Sequence, residues 1–256
     1  MNFFFGIKSS ILDSKLTIPR FQNSGLVKKE YKALKLEIKN QSWKINRLVD
    51  IELNEDFYKI DSKQIDNQNI FLLATEKEID IFENNNNNKL INLNNFTDTN
   101  PSFRANLQIS IKGGGFSSYQ SEYPFSMTNK KGSILSPISS LCNKSADQNI
   151  IFLKNIYELP IHEEFYAYFI NIKTKKILKK ELVLTNYLNE IFVEKELIKP
   201  EIFLYTEKYL GVPIFCSILN NHISFEHTHP PHEYIMSDDK YKVVSNLKKK
   251  FHEIIN

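Results

Sequence analysis

From His222 to Tyr234 the chain reads HISFEHTHPPHEY, a stretch that holds four of its six histidines. Imidazole titrates near neutrality and is also a common metal ligand, so a cluster this dense admits two chemistries. In the first, His227 and His229 are one residue apart on a strand and offer a metal two nitrogens from the same side. Glu233 or Glu226 adds oxygen, and a divalent ion such as zinc or iron suits that set. A further nitrogen must come from upstream, where His162 is the only histidine. In the second chemistry, no metal is needed. His227 or His229, held by one of the nearby carboxylates Glu226, Glu233, Asp238 and Asp239, acts as a general base on a hydroxyl or an activated carbonyl. A third account is structural: Pro230 and Pro231 leave backbone carbonyls without ladder partners, and nearby imidazoles satisfy them.

The pattern His227-Thr228-His229 with Glu233 four residues on resembles part of the metal motif of cupins, small β-barrels with a His/Glu metal site. That resemblance implies a barrel lobe and the ligands His227, His229 and Glu233. It covers these residues alone. No glycine stands ahead of the histidine pair in the expected place, and no later Gly-rich motif supplies the further histidine, so the chain is not assigned to that family.

A second candidate is KGGGFSSYQSEYPF, beginning at Lys112. Consecutive backbone N–H groups can cradle an anion. The Walker spacing and the G-x-S-x-G elbow are both missing, however, and a turn or bulge is the expected form. Its aromatic and amide groups, Tyr119, Gln120 and Tyr123, suit a sugar-like ligand that needs an apolar platform and directional hydrogen bonds. With His222 and His232 they complete the expected ligand-binding set. In YELPIHEEF, Glu158, His162, Glu163 and Glu164 crowd one segment, which reads as the solvated start of a strand rather than as carboxylates flanking a bond.

The elements that must position these groups are mostly strands. Leu34, Leu36 and Ile38 alternate with Lys35 and Glu37, and Asn40-Gln41-Ser42 reads as the turn to a second strand carrying Trp43 and Ile45. Ile70–Ala74 and the pair Ile79 and Ile81 read as further strands. Leu107, Ile109 and Ile111 lead into Gly113-Gly114-Gly115. FYAYFINIKTKKILKKELVLTN reads as two long strands joined near 173–176, and FLYTEKYLGVPIFCSI as two shorter ones around Gly211. A strand from near Leu219 to Thr228 sets Ile223, Phe225 and His227 on one face, and His222, Ser224 and Glu226 on the other. The last twenty residues change period. Ser237 or Asp238 can cap a helix whose stripe is Val243 or Val244, Leu247, Phe251 and Ile254 or Ile255, with Lys248, Lys249 and Lys250 solvated near its end.

The expectation is therefore mainly β: antiparallel sandwich-like lobes with a C-terminal amphipathic helix. The Asn-rich run after Asn84 suggests a boundary, giving an N-terminal lobe over 1–97, a second lobe over 98–236 with the histidines, and the helix over 237–256.

Composition closes off several classes. Lys plus Arg number 33 against 30 acids, a formal charge of +3, with the signs interspersed and only three arginines, which argues against nucleic acid. No run approaches the roughly 20 apolar residues of a membrane helix, and the N-terminal apolar run is too short for a secretory leader. Cys142 and Cys216 lack metal spacing and read as free and buried, which fits a cytoplasmic protein. Two functions are carried forward. In the first, a His-centred site binds and modifies a polar, sugar-like small molecule, with or without a metal. In the second, a non-catalytic module contacts a protein partner and its histidines are structural.

Overall fold

Alternating apolar residues commit the chain to strands wherever one face finds cover, and a computed structural model shows where each face goes. It describes residues 2–19, 31–47, 52–53, 57–85, 88–92, 105–129, 132–227 and 239–256. The elements are β1 (Asn2–Phe3), β2 (Leu12–Pro19), β3 (Lys32–Lys39), β4 (Ser42–Arg47), β5 (Glu52–Leu53), β6 (Phe57–Ile60), β7 (Ile70–Ala74) and α1 (Glu76–Asn84). Then come β8 (Asn106–Ile111), β9 (Phe116–Gln120), β10 (Tyr123–Pro124), the single turn α2 (Phe125–Thr128), β11 (Leu135–Pro137), β12 (Gln148–Lys154) and β13 (Glu164–Asn171). The chain ends with β14 (Lys176–Leu184), β15 (Leu188–Phe192), β16 (Ile202–Thr206), β17 (Val212–Leu219), β18 (His222–His227) and α3 (Lys240–Ile255).

The strands pair antiparallel. β4-β3-β7 form a three-stranded sheet and β5-β6-β2-β8-β9 a five-stranded one, and β1 pairs β10. An outer sheet has the order β11-β16-β13-β14, and a middle sheet β15-β12-β17-β18. The two central strands of the middle sheet, β12 and β17, are buried on both faces. Along β12, Ile150 and Phe152 join the core shared with the N-terminal sheets, while Ile151 and Leu153 pack against Phe165, Phe169 and Leu204 of the outer sheet. Period-two alternation thus feeds two cores from one strand. β17 repeats the device with Ile214 and Cys216 on one side and Phe215 on the other. A third core lies on the far face of the outer sheet, where Phe251 of α3 packs on Tyr168, Ile170 and Tyr205.

The expected boundary near residue 98 does not separate two cores. β2 pairs with β8 from Leu12↔Ile111 to Thr17↔Asn106, so strands on either side of that point share one sheet. The N-terminal core then runs on through Tyr119 and Tyr123 to Phe152, Ile214 and Phe225.

Two other expectations need correction. Ile79 and Ile81 lie in helix α1, not in a strand. Thr75 and Glu78 form a capping box, in which the Thr75 Oγ1 accepts from the Glu78 N–H and the Thr75 N–H donates to the Glu78 carboxylate. Ile79 and Phe82, three residues apart, are the buried pair. Nor does a strand begin near Leu219. Leu219 ends β17, and Asn220 and Asn221 stand at φ 48° and 63°, the two positive-φ positions of a tight hairpin turn that asparagine tolerates. The corresponding turn at Asn40 and Gln41, with φ 51° and 55°, lies where the sequence suggested it.

The triple glycine closes the β8–β9 hairpin and brings it against the β17–β18 turn. The Gly115 N–H donates to the Asn221 carbonyl over 2.9 Å, and a Cβ at Gly114 would lie 2.9 Å from that oxygen. Close backbone approach accounts for Gly114 and Gly115, and a φ of 78° for Gly113. None of the described helices is long and apolar enough to cross a membrane.

Candidate functional site

β18 presents two faces that differ in chemistry. Its burial alternates as the sequence required, with Ile223, Phe225 and His227 turned inward and His222, Ser224 and Glu226 exposed. Adjacent residues of a strand point to opposite sides. Glu226 therefore does not hold the His227 ring, and the expected pairing of this base with this carboxylate is corrected. His222 and His227 also lie on opposite faces and are separated by five steps of about 3.4 Å each along the strand. The described histidines of the cluster form two places, not one.

At the first place, His227 meets Tyr119 of β9. The rings are 5.3 Å apart at an interplanar angle of 86°, an edge-to-face contact across the junction of the middle and five-stranded sheets. Burial raises the Tyr119 hydroxyl pKa above its ordinary value. Tyr123 does not join this contact. It is fully buried in the N-terminal core, with its hydroxyl directed to the Leu210 carbonyl at 3.4 Å. Gln120 is half-buried, and its amide donates to Glu122 at 3.5 Å. Among the described residues, Tyr119 is the member of the expected platform that meets a histidine.

The second place is a hollow of about 300 Å³ lined by residues that include Cys142, Asn143, Ser217, His222 and Ser224. Its geometry follows from the register. Ser217 pairs with Ser224 and Leu219 with His222, so these four side chains share the face of the middle sheet that the outer sheet leaves uncovered at its β18 edge. The 140–143 segment closes the other side. It is pinned there by the Asn143 N–H, which donates to the Asn149 Oδ1 at 3.0 Å and to the Ser217 Oγ at 3.1 Å, while the Asn149 amide returns a bond to the Asn143 carbonyl at 2.9 Å. Glu226, two residues beyond Ser224, continues the polar row on the same face. Burial pushes the thiols of Cys142 and Cys216 up to about 12, so neither supplies a thiolate near neutral pH. Both are free and buried, as expected.

His162 stands apart from both places. Its Nδ1 lies 3.0 Å from the Thr185 carbonyl, in the turn that leads into β15. β15 and β18 are the two edges of the middle sheet. Three strand spacings of about 4.8 Å, roughly 14 Å, separate them, so His162 sits beside the edge of the middle sheet opposite the one that carries His227. His229, His232 and Glu233 lie outside the described residues. Among the described residues, no group of three or more His, Cys, Asp or Glu side chains could hold a metal ion.

Compared with known protein families, curated proteins and solved structures, the chain matches none. The site has to be read from its own geometry.

That geometry includes groups the sequence reading passed over. Lys154 ends β12 and is fully buried, with its Nζ 3.3 Å from the Asn69 carbonyl and 3.4 Å from that of Asn67. Burial pushes its pKa down to about 7, against the smaller opposing effect of the Asp66 carboxylate. Nothing in IIFLK distinguishes this lysine from one that leaves the sheet. Asn155, Asn186 and Asn189 are likewise buried and tie the turn before β15 to its neighbours through their amides. In the segment around His162, the Glu158 backbone carbonyl accepts from the Trp43 indole at 2.9 Å, and the Glu163 carboxylate accepts from Lys208 and Tyr209. The work of that segment is therefore mainly structural.

Proposed function

We propose that this chain binds a small, polar, hydroxyl-bearing molecule of sugar type in the hollow beside His222. The observation that carries the reading is the placing of the His222 imidazole and the Ser224 hydroxyl on the wall of a hollow of about 300 Å³, beside Ser217 and Asn143, whose own polar groups are held by Asn149 and fix that wall. That volume sits at the small end of the range of about 300–1,000 Å³ used by ligand sites. Its wall is mixed. Leu141, Leu219 and Ile223 offer apolar surface beside the hydroxyls, the combination that a sugar ring with one apolar face needs. The neutral imidazole of His222 can donate from one ring nitrogen and accept at the other, so it reads a hydroxyl in either sense. Modification of the ligand would draw on the same His222 as general base.

A metal belongs to a separate reading of the cluster and rests on His227 together with His229 and Glu233. Metal content measured on untagged protein, beside a folded His227→Ala/His229→Ala variant, tests it. Near-stoichiometric metal lost in the variant supports the reading, and no metal in the parent ends it.

The hollow is tested by ligand-observed NMR with a panel of neutral monosaccharides. Saturation transfer to at least one sugar in the parent, lost in His222→Ala with its thermal unfolding unchanged, is the expected result. Transfer that persists unaltered in His222→Ala, or none for any sugar, sinks it.

A further inference from the structure

The hairpin that joins β13 to β14 reads NIKTKKILKK from Asn171 to Lys180, five lysines with no Asp or Glu. Its turn is held from within. The Asn171 Oδ1 accepts from the Lys173 and Thr174 N–H groups, each at 3.0 Å, and Lys175 takes a left-handed position at φ 54°. Every residue from Lys173 to Leu178 is exposed, so this end of the outer sheet stands in solvent. Its base is firm. Ile170 belongs to the third core, and Ile172 packs against that core together with Ile254 and Ile255 of α3.

The charge at this end is not cancelled internally. Lys179 turns to the inner face over the Phe169 ring and takes the Glu181 and Glu194 carboxylates at 2.9 and 2.8 Å. Lys173, Lys175 and Lys176 form no ion pair with any described residue. Between Lys176 and Lys179 the sheet slips register. Lys179 pairs with Phe169 and Ile177 with Ile170, which leaves Leu178 as the extra residue of a bulge. Ile177 and Leu178 are exposed there at 41% and 46%. An aliphatic pair without cover, set among unpaired lysines on a fixed turn, is the feature that calls for a partner.

We infer that this hairpin end is a contact site for an anionic membrane surface, with its lysines at the level of the headgroups and Ile177 and Leu178 in the acyl boundary. Two features choose that occupant. Cations without internal partners fit an anionic surface, and the aliphatic pair fits hydrocarbon, which a phosphate backbone does not offer. The lysine stems lie along apolar surface while their ammonium groups stay in the wet layer. Single-stranded nucleic acid is held by exposed rings and arginine forks, and residues 173–178 contain neither. Tyr166, exposed further along the sheet, carries the Lys180 ammonium over its ring at 3.5 Å. Contact of this kind needs no spanning helix. The hairpin is separate from the His222 hollow and does not rest on that reading.

The test is flotation of the full chain with vesicles of phosphatidylcholine, alone or mixed with phosphatidylserine. Binding to the mixed vesicles is expected, at least about tenfold weaker to phosphatidylcholine alone and falling as added salt screens the charges. Lys175→Gln/Lys176→Gln should weaken it by about tenfold or more, and Ile177→Ser/Leu178→Ser by about tenfold. Lys44→Gln/Lys77→Gln removes the same charge from exposed positions of β4 and α1 and should leave binding unchanged. A Leu178→Trp variant reads insertion directly, since Trp43 is fully buried and gives a constant background. Its emission should shift to the blue with the mixed vesicles and stay put with phosphatidylcholine. The lipid preference of the parent and this emission do not depend on how the other variants fold. No binding, equal binding to both lipids, equal weakening by the Lys44/Lys77 control, full binding of the Ile177/Leu178 variant, or an unmoved emission overturns the inference. So does a single-stranded oligonucleotide that displaces the protein from vesicles and binds the Ile177/Leu178 variant as tightly as the parent, a result that would assign the hairpin to nucleic acid.

Discussion

Lys154 illustrates how a single buried side chain can carry a pH dependence of stability. Its amine is fully buried and its folded-state pKa stands at about 7 against an ordinary 10.5. Between those values the unfolded chain holds a proton that the folded chain does not. This group therefore makes stability rise as pH climbs from about 7 to 10.5, and below 7 the cost of burying the charge is fully present. Urea midpoints at pH 7, 8.5 and 10 should increase for the parent, and the increase should flatten in Lys154→Met. A slope identical in the two proteins would remove Lys154 as its source. The sequence could not flag this residue, because burial of a lysine depends on which loop covers the strand end, and that loop, 67–69, lies some 85 positions away. The histidines show the opposite case. Strand periodicity alone predicts that His222 and His227 diverge, and it also forbids the Glu226–His227 pairing that chemical proximity in sequence invited. What periodicity could not supply was the 140–143 segment that turns His222 into the wall of a hollow.

At the level of elements, local signals performed well where they were complete. Leu34 to Arg47, with its Asn40–Gln41 turn, and the long β13–β14 hairpin follow directly from alternation and turn chemistry. α1 was missed because two isoleucines at spacing two imitate a strand, although Thr75 and Glu78 carry a capping signature. Removing that cap by Thr75→Ala should cost about 1 kcal/mol of stability, read by urea denaturation, with no change in the β hairpins. An effect near zero would mean that packing of Ile79 and Phe82 alone holds the helix. α3 was legible as a helix, but its docking was only half legible. Phe251 is buried against Phe203 and Tyr205, with ring centroids 5.4 and 5.6 Å away, and the half-buried Lys248 donates to the Ser133 carbonyl at 2.6 Å. Tyr241, Val243 and Leu247 at the other end stay exposed. Phe251→Ala should therefore undock most of the helix at a cost of about 3–5 kcal/mol, seen as a lower midpoint and lost protection of the α3 amides. Retained protection would show that the N-terminal turns dock by themselves.

For the whole molecule, the mainly β class and the terminal helix could be read from period and composition, but the partition could not. An Asn-rich stretch looks like a linker whether or not the strands on either side of it pair, and here β2 and β8 do. A fragment starting at residue 98 would lose β2 beside β8 and strip cover from Phe152, Ile214 and Phe225, so it should aggregate or give poorly dispersed NMR spectra. A well-dispersed spectrum from that fragment would restore the boundary. The same arrangement has a kinetic corollary. Ile150 to Leu153 face two cores in alternation, so neither the N-terminal sheets nor the outer sheet can peel away without exposing one side of β12. Opening events confined to one layer do not free that strand's amides. Their hydrogen exchange then runs on the slowest clock in the protein, and its rate reports the unfolding of the entire chain rather than of either half.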